Sequence, residues 1–373
     1  MMTGGGTAGH INPALAIAAK IKKENPDAEI LFVGAKGRME EQLVPAAGYP
    51  IRTVDVRGFQ RRISVKNIGR NVSAAVHAVT AGSASARILK EFRPDIAIGT
   101  GGYVSGPVLR RAAKMGIPVL VHESNAFPGV TIKVLAKHAA AVMIADEAAK
   151  KYLPEGCRVV VTGNPLRADF LHMDAQSRQK AREELHLDSR PMVLSFGGSL
   201  GAEKINRTMA EVLARSHKAG GLQHIHGTGK SGWESTCALL REKQVPLDKD
   251  GIRVREYIDD MSRCMAAADL VICRCGAMTL SELPAAGKPA ILIPSPNVAE
   301  NHQYHNAMAL VNRGAALCIE EKDLTPETLW AAIEDIAYSP DKLKQMGENA
   351  HNAAILDADN RIYSVIEETL RGN

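Results

Sequence analysis

Short, continuously apolar runs recur along the chain at Glu29–Val33, Ile51–Val56, Asp95–Ile98, Pro118–His122, Ala141–Ala145 and Arg158–Val161. They return at Pro191–Phe196, Leu222–His226, Ile252–Tyr257, Asp269–Ile272, Pro289–Ile293 and Ala315–Ile319. Runs without polar alternation predict strands covered on both faces. Between most of them lie stretches of helical spacing, such as Ile11, Leu15, Ala18 and Ile21 on one face of a first helix. This alternation predicts an α/β fold built on parallel sheets. The pattern pauses at Thr162-Gly-Asn-Pro165 and then restarts. Two doubly wound, Rossmann-like domains are therefore predicted, facing across a cleft with ligand at the carboxyl ends of the strands.

Glycine loops sit where such folds bind ligands. They are Gly4-Gly-Gly-Thr-Ala-Gly-His10, Gly99-Thr-Gly-Gly-Tyr-Val-Ser-Gly-Pro107 and Gly197-Gly-Ser-Leu-Gly-Ala202. The first and third resemble each other, which reads as one strand, loop and helix device used twice. Only three residues precede the first loop, so the strand expected there is either a stub or begins ahead of Met1. A fourth turn joins the run ending at Ile272 to a helix carrying Thr279, Ser281 and Glu282. Unpaired amides and the positive end of the dipole at such a helix start suit a phosphate. Glu282 would repel that phosphate unless it turns to a ribose, so a nucleotide diphosphate is the expected guest. Downstream, Asn301, His302, Gln303, His305 and Asn306 offer hydrogen-bonding side chains suited to sugar hydroxyls or to helix capping.

Composition narrows the class. The 373 residues are 45% hydrophobic and 23% charged, as expected of a globular protein with two domains. A net charge of +5 permits anionic partners without demanding nucleic acid, and none is expected. Scattered cysteines and the lack of a signal peptide predict a reduced, cytoplasmic setting without disulfides. Cys273 and Cys275, one residue apart with no nearby histidine pair, do not predict a metal site. Val33-Gly34-Ala35 stands where a dinucleotide fold carries its acidic ribose ligand, which weakens a dehydrogenase reading. No Ser-His-Asp order, Gly-x-Ser-x-Gly elbow or Walker lysine is present. His10, at the start of the first helix, is a candidate general base, kept neutral by the helix N-terminus; Glu123 is the rival.

Taken together, Gly4–Pro13, Gly99–Pro107, His122–Asn125, Gly163–Arg167, Phe196–Ala202, Tyr257–Met261, Cys273–Glu282 and Asn301–Asn306 closely resemble the MurG family. These are family 28 glycosyltransferases of the two-domain GT-B fold. The resemblance spans nearly the whole chain, departing at Ala8, Cys275 and His302, where glycine, serine and glutamine are common. It implies inverting transfer of GlcNAc from UDP-GlcNAc to the 4-hydroxyl of MurNAc in lipid I, giving lipid II and UDP without a cofactor or metal. It implies donor contacts from Thr7, Ala8, Gly9, Asn125, Arg167, Ser199, Ile258, Ala277, Met278, Thr279, Leu280, Ser281, Glu282 and Gln303. Acceptor contacts are implied for Gly101, Gly102, Tyr103 and Ser105.

The implied domains are 1–163 for the acceptor and the membrane, 164–345 for UDP-GlcNAc, and 346–373 as a C-terminal helix packing back on the first. A peripheral site on the cytoplasmic face of the bacterial membrane is implied as well. Between Arg57 and Arg93, eight cationic residues stand against the one acid Glu91, interleaved with Ile63, Val65, Ile68, Val72, Val76 and Val79. Such a segment suits anionic inner-leaflet phospholipid or is an ordinary solvated helix face. Two other functions fit the same loops: a UDP-GlcNAc 2-epimerase, and a non-catalytic subunit that binds a sugar nucleotide.

Overall fold

The computed structural model describes residues 1–56 and 80–372; most of the basic segment between Arg57 and Arg93 lies outside them. The chain forms two units, Met1–Pro165 with Asp357–Asn373, and Leu166–Leu356.

In the first unit the strands are β1 (Met2–Thr3), β2 (Phe32–Ala35), β3 (Ile51–Val54), β4 (Ala97–Gly99), β5 (Val119–Glu123), β6 (Ala141–Ile144) and β7 (Val159–Val161). The helices are α1 (Ala8–Glu24), α2 (Glu40–Ala46), α3 (80–92), α4 (Ser105–Lys114) and α5 (Val130–Ala136). The strands pair in parallel in the order β3-β2-β1-β4-β5-β6-β7. The stub β1 is central: Met2 is in register with Phe32 on one side and Ile98 on the other. Alternate residues serve opposite faces. Leu120 joins Met2, Ile11 and Ile17 on one side, while Val119 and Val121 join Val108 and Leu109 on the other. On α1 the fully buried stripe is Ile11, Ala14, Ile17 and Ala18, with the expected Leu15 and Ile21 only at its edge.

The second unit repeats the design. Its strands are β8 (Met192–Phe196), β9 (Gln223–Gly227), β10 (Asp248–Lys249), β11 (Ile252–Arg255), β12 (Leu270–Cys273), β13 (Ala290–Leu292) and β14 (Ala316–Cys318). Its helices are α6 (Ala175–Glu184), α7 (Glu203–Ala219), α8 (Trp233–Glu242), α9 (Met261–Ala267), α10 (Thr279–Ala285), α11 (His302–Val311), α12 (Pro326–Ala337) and α13 (Pro340–Asn352). The order is β10-β11-β9-β8-β12-β13-β14, parallel except for β10. Residues 346–352 lie in α13, whose Met346 and Ala350 pack into the cores of this second unit. Only the last helix, α14 (Ala358–Arg371), joins the first unit, so the segment expected to return from residue 346 turns back about ten residues later. Ile362, Val365 and Ile366 of α14 enter the core around Met2 and Ile11.

Both sheets reverse winding direction once, between β1 and β4 and between β8 and β12. Ligands of open α/β sheets bind outside the strand ends at such switch points. Each is flanked by two of the four turns singled out in the sequence.

Beneath the second switch point, β9 carries His224 and His226, both fully buried. His224 Nε2 lies 2.8 Å from Ser216 Oγ, and His226 Nδ1 2.8 Å from Ser195 Oγ. Burial lowers their pKa values to about 3 and about 4. Below the unfolded value of ~6.5 the unfolded chain binds protons that the folded chain refuses, so stability is lost as the pH is lowered, by ~1.4 kcal/mol per pH unit per histidine. The loss ends only near the folded values. A His224→Gln protein is expected to lose about half of this slope. Amide protection of β8 and β9 between pH 6.5 and 5 measures it, and equal slopes in both proteins would refute it.

Candidate active site

The turn after β8 runs through Gly197–Ala202 into α7. Gly201 has φ +85°, and a Cβ there would lie 2.1 Å from Thr228 O, so this loop closes tightly on the end of β9 only because the residue is glycine. After β12 the chain turns at Gly276 into α10. Leu280 N donates to Gly276 O at 3.0 Å and Glu282 N to Met278 O at 2.9 Å. The helical ladder thus starts at Leu280, with the amides of Ala277, Met278 and Thr279 ahead of it.

Two cavities open on these turns. A larger one, about 730 Å³, is lined by the Gly197–Ala202 loop, Arg274, Thr279, Ser295 and Gln303. A smaller one, about 190 Å³, is lined by Arg167, Tyr257, Ile258, Asp259 and Glu282. They share Phe196, Gly198, Ser199 and Thr279. A ligand occupying both has its middle against Ser199 and Thr279.

In the smaller cavity, Glu282 Oε1 lies 3.7 Å from Arg167 Nε. Arg167 also approaches Asp169 at 3.5 Å and stacks over the Phe170 ring at 4.8 Å. Burial pushes the Glu282 carboxyl up to about 7, against the pull of Arg167 and with a smaller push from Asp169. A carboxylate so placed is an acceptor for hydroxyl donors, which would favour its charged form. Ile258, 5% exposed, packs its side chain beside Gly227 and lines the same cavity.

In the larger cavity, Gln303 Oε1 accepts from Cys275 N at 3.3 Å and Ser295 N at 2.9 Å. Its carbonyl ties together the ends of β12 and β13, which leaves the amide NH2 as the donor for a ligand. Asn306 Nδ2 supports the same turn by donating to Cys275 O at 3.2 Å. Leu280 packs on the core, and Ser281 Oγ donates back to Ala277 O at 3.2 Å. Those two donor candidates therefore serve α10 itself.

Arg274 was not singled out by sequence. It lines the larger cavity with Lys204 and Arg207, and donates to Ile293 O, Pro294 O and Glu321. Its position between Cys273 and Cys275, in the turn after a strand, was the available signal.

In the first unit the two glycine loops interlock. Gly5 N donates to Gly101 O at 3.4 Å and Thr100 Oγ1 to His10 O at 2.6 Å. A Cβ on Gly102 would lie 2.2 Å from Gly5 O, and one on Gly101 3.1 Å from His10 Nδ1. His10 and Gly101 thus adjoin, with Thr7, Ala8 and Gly9 immediately before and Tyr103 exposed beyond. Ser105 is fully buried and donates to Gly101 O at 2.6 Å, so its hydroxyl holds the loop. Glu123 is also buried: Oε1 accepts from Asn125 N and Nδ2 at 2.9 Å, and Oε2 from Gly129 N at 2.8 Å. Burial raises its pKa against these hydrogen bonds. Both oxygens are engaged in shaping the turn after β5. Among the described residues no cluster of histidine, cysteine and acidic side chains is placed to hold a metal ion.

Comparison with known proteins bears on both units. Residues 1–144 match the glycosyltransferase family 28 N-terminal domain and residues 192–362 the glycosyltransferase family 28 C-terminal domain. The chain belongs to glycosyltransferase family 28. A family relative from Acetivibrio thermocellus is 46% identical over 373 residues, covering 100% of this chain and 98% of its own length. It is named UDP-N-acetylglucosamine--N-acetylmuramyl-(pentapeptide) pyrophosphoryl-undecaprenol N-acetylglucosamine transferase. One from Bacillus cytotoxicus, of the same name, is 40% identical over 372 residues, covering 100% and 99% of the two chains. Among solved structures, Acinetobacter baumannii MurG superposes with a TM-score of 0.80 at 29% identity, covering 99% of each chain. The Neisseria meningitidis UDP-GlcNAc 2-epimerase bound to UDP-GlcNAc gives 0.65 at 15% identity, with 100% and 99% covered, which is likeness of fold alone.

Proposed function

We propose that this chain transfers GlcNAc from UDP-GlcNAc to the MurNAc 4-hydroxyl of lipid I, giving lipid II and UDP. The family relatives that match the full chain support the reaction. The observation that carries the donor assignment is the pair of cavities meeting at Ser199 and Thr279. Uracil lies against the Ile258 backbone, the ribose hydroxyls donate to Glu282, and Arg167 supports that carboxylate. The pyrophosphate sits at the shared wall formed by Ser199 and Thr279, with the amides that precede the α10 ladder and the Ser199 and Thr279 hydroxyls as its donors, and the sugar takes the Gln303 amide. As the bond from the anomeric carbon to the β-phosphate oxygen breaks, charge grows on that oxygen and these donors stabilise it. Removing one such donor typically costs ~10²–10³ in turnover.

The acceptor belongs to the second glycine loop of the first unit, Gly101–Tyr103. His10 takes the proton of the attacking hydroxyl, and Glu123 shapes the turn that carries Asn125. The epimerase reading shares this fold, but the curated relatives of high identity do not favour it. Purified protein given UDP-GlcNAc and lipid I is expected to release UDP and form the disaccharide lipid, with no UDP-ManNAc when acceptor is omitted. Binding of UDP-GlcNAc without transfer to lipid I would refute the proposal.

Membrane contact is the remaining part of the proposal. No helix among the described residues is long and apolar enough to span a bilayer. Of the basic segment, Arg87, Lys90 and Arg93 lie in or just after α3, where Arg87 pairs with Glu91 at 3.2 Å. Arg61 and Arg62 are outside the described residues. Near an anionic leaflet each basic residue contributes about 1 kcal/mol. Arg87→Gln/Lys90→Gln should therefore weaken flotation with anionic vesicles and leave neutral vesicles unaffected; equal flotation would leave these residues an ordinary solvated face.

A further inference from the structure

In doubly wound folds the amides of the first glycine loop form an anion seat, and an acidic side chain at the end of the second strand takes a ribose. The first unit fills this place from within. Glu40, at the start of α2, is completely buried. Its Oε2 accepts from Gly6 N and its Oε1 from Ala35 N, both at 3.0 Å. Ala35 ends β2, and Gly6 lies in the first loop at φ +85°. The fit leaves no room beside the carboxyl: a Cβ on Gly5 would lie 2.2 Å from Glu40 Oε1, and one on Gly34 2.7 Å from Glu40 Cγ. Gly34 and Gly5 are thus small because Glu40 is present. A buried carboxylate with two amide donors is an anion already in the seat, and a phosphate arriving there would meet like charge.

We propose that Glu40 is a positioning residue for the acceptor. It locks the β2 side of the first glycine loop as a built-in anion, so the pyrophosphate of a lipid-linked acceptor is met by the exposed tip at Thr7–Gly9 and by the second loop. The same contact bars a nucleotide phosphate from the first unit, which confines UDP-GlcNAc to the second. The inference rests on the transferase reading for its substrate and stands on its own for the occupied amide.

Two measurements test it. In Glu40→Gln, nearly the same shape, one amide donor faces an NH2 group instead of an oxygen. Expected is a fall of about 10- to 100-fold in kcat/KM for lipid I, carried by its KM, as for other displaced positioning groups. KM for UDP-GlcNAc should stay as in the parent protein. Unchanged acceptor kinetics, or equal loss toward both substrates, would overturn the proposal. If the parent protein makes no lipid II, the transferase reading fails and the second measurement decides Glu40 alone.

That measurement follows the backbone amides of the unaltered protein while inorganic pyrophosphate is added. Gly6 and Ala35 are expected to stay protected and unshifted while Ala8 and Gly9 respond. A response at Gly6 would show that the carboxylate does not hold the seat. This arm also stands if Glu40→Gln fails to fold.

Discussion

Turnover of a His10→Ala protein is expected to fall about 10²–10⁴-fold, the usual worth of a positioned general base, with affinity for UDP unchanged. His10 lies in the first turn of α1 with its ring against Gly101, where the interlocked loops fix it. Glu123 differs: three hydrogen bonds engage its oxygens, and burial raises its pKa. Glu123→Gln should act through the shape of the Asn125 turn, lowering stability and turnover together. The pH profile of kcat separates the two roles, because only His10→Ala should remove the acidic limb of a base that must be unprotonated. A normal rate in His10→Ala would take that residue out of the reaction.

The second large effect is expected at Glu282. Hydrogen bonds to a charged group contribute ~1.5–3 kcal/mol, so Glu282→Ala, losing one or two to ribose, should weaken UDP binding by roughly 10- to 10³-fold or more. With its carboxyl pushed up to about 7, Glu282 is partly protonated at neutral pH in the free protein. Ribose donors prefer the charged form, so binding should release a proton and tighten as pH rises through 7. UDP itself titrates near pH ~6. The diagnostic is therefore the difference between the parent protein and Glu282→Gln, which lacks the ionising group, in titration calorimetry at pH 6, 7 and 8. Parallel pH dependences would show that Glu282 does not face the ligand as assigned.

Most of the sheet framework was legible because a strand covered on both faces has no polar alternation to obscure it. The predicted runs and the observed strands β2 to β9 and β11 to β14 coincide within a few residues at each end. Strand β10 was not legible: Asp248 and Lys249 are exposed and pair only at a sheet edge. The switch points were marked by their glycines, and Glu282 and Gln303 fell on the cavities for the reasons of charge and hydrogen bonding that drew attention to them.

The side chains that serve the loops themselves were harder to read. Ser105 and Ser281 look like ligand hydroxyls in a sequence, yet each donates to a carbonyl four residues back, which composition cannot reveal. Glu40 was invisible for a different reason: its partner Gly6 is 34 positions away, and nothing local distinguishes it from a surface glutamate in the first turn of a helix.

The return of α14 to the first unit has a consequence for biosynthesis. Ile362, Val365 and Ile366 complete a core that also holds Met2, Ile11 and Ile17 from the first unit's opening strand and helix. The first unit therefore waits on the ribosome with an open apolar flank until α14 has been made, while Leu166–Leu356 has all its own strands and helices and can close first. Stop codons shortly after position 356 should consequently yield chains whose second half is sound and whose first half is captured by chaperones or proteases.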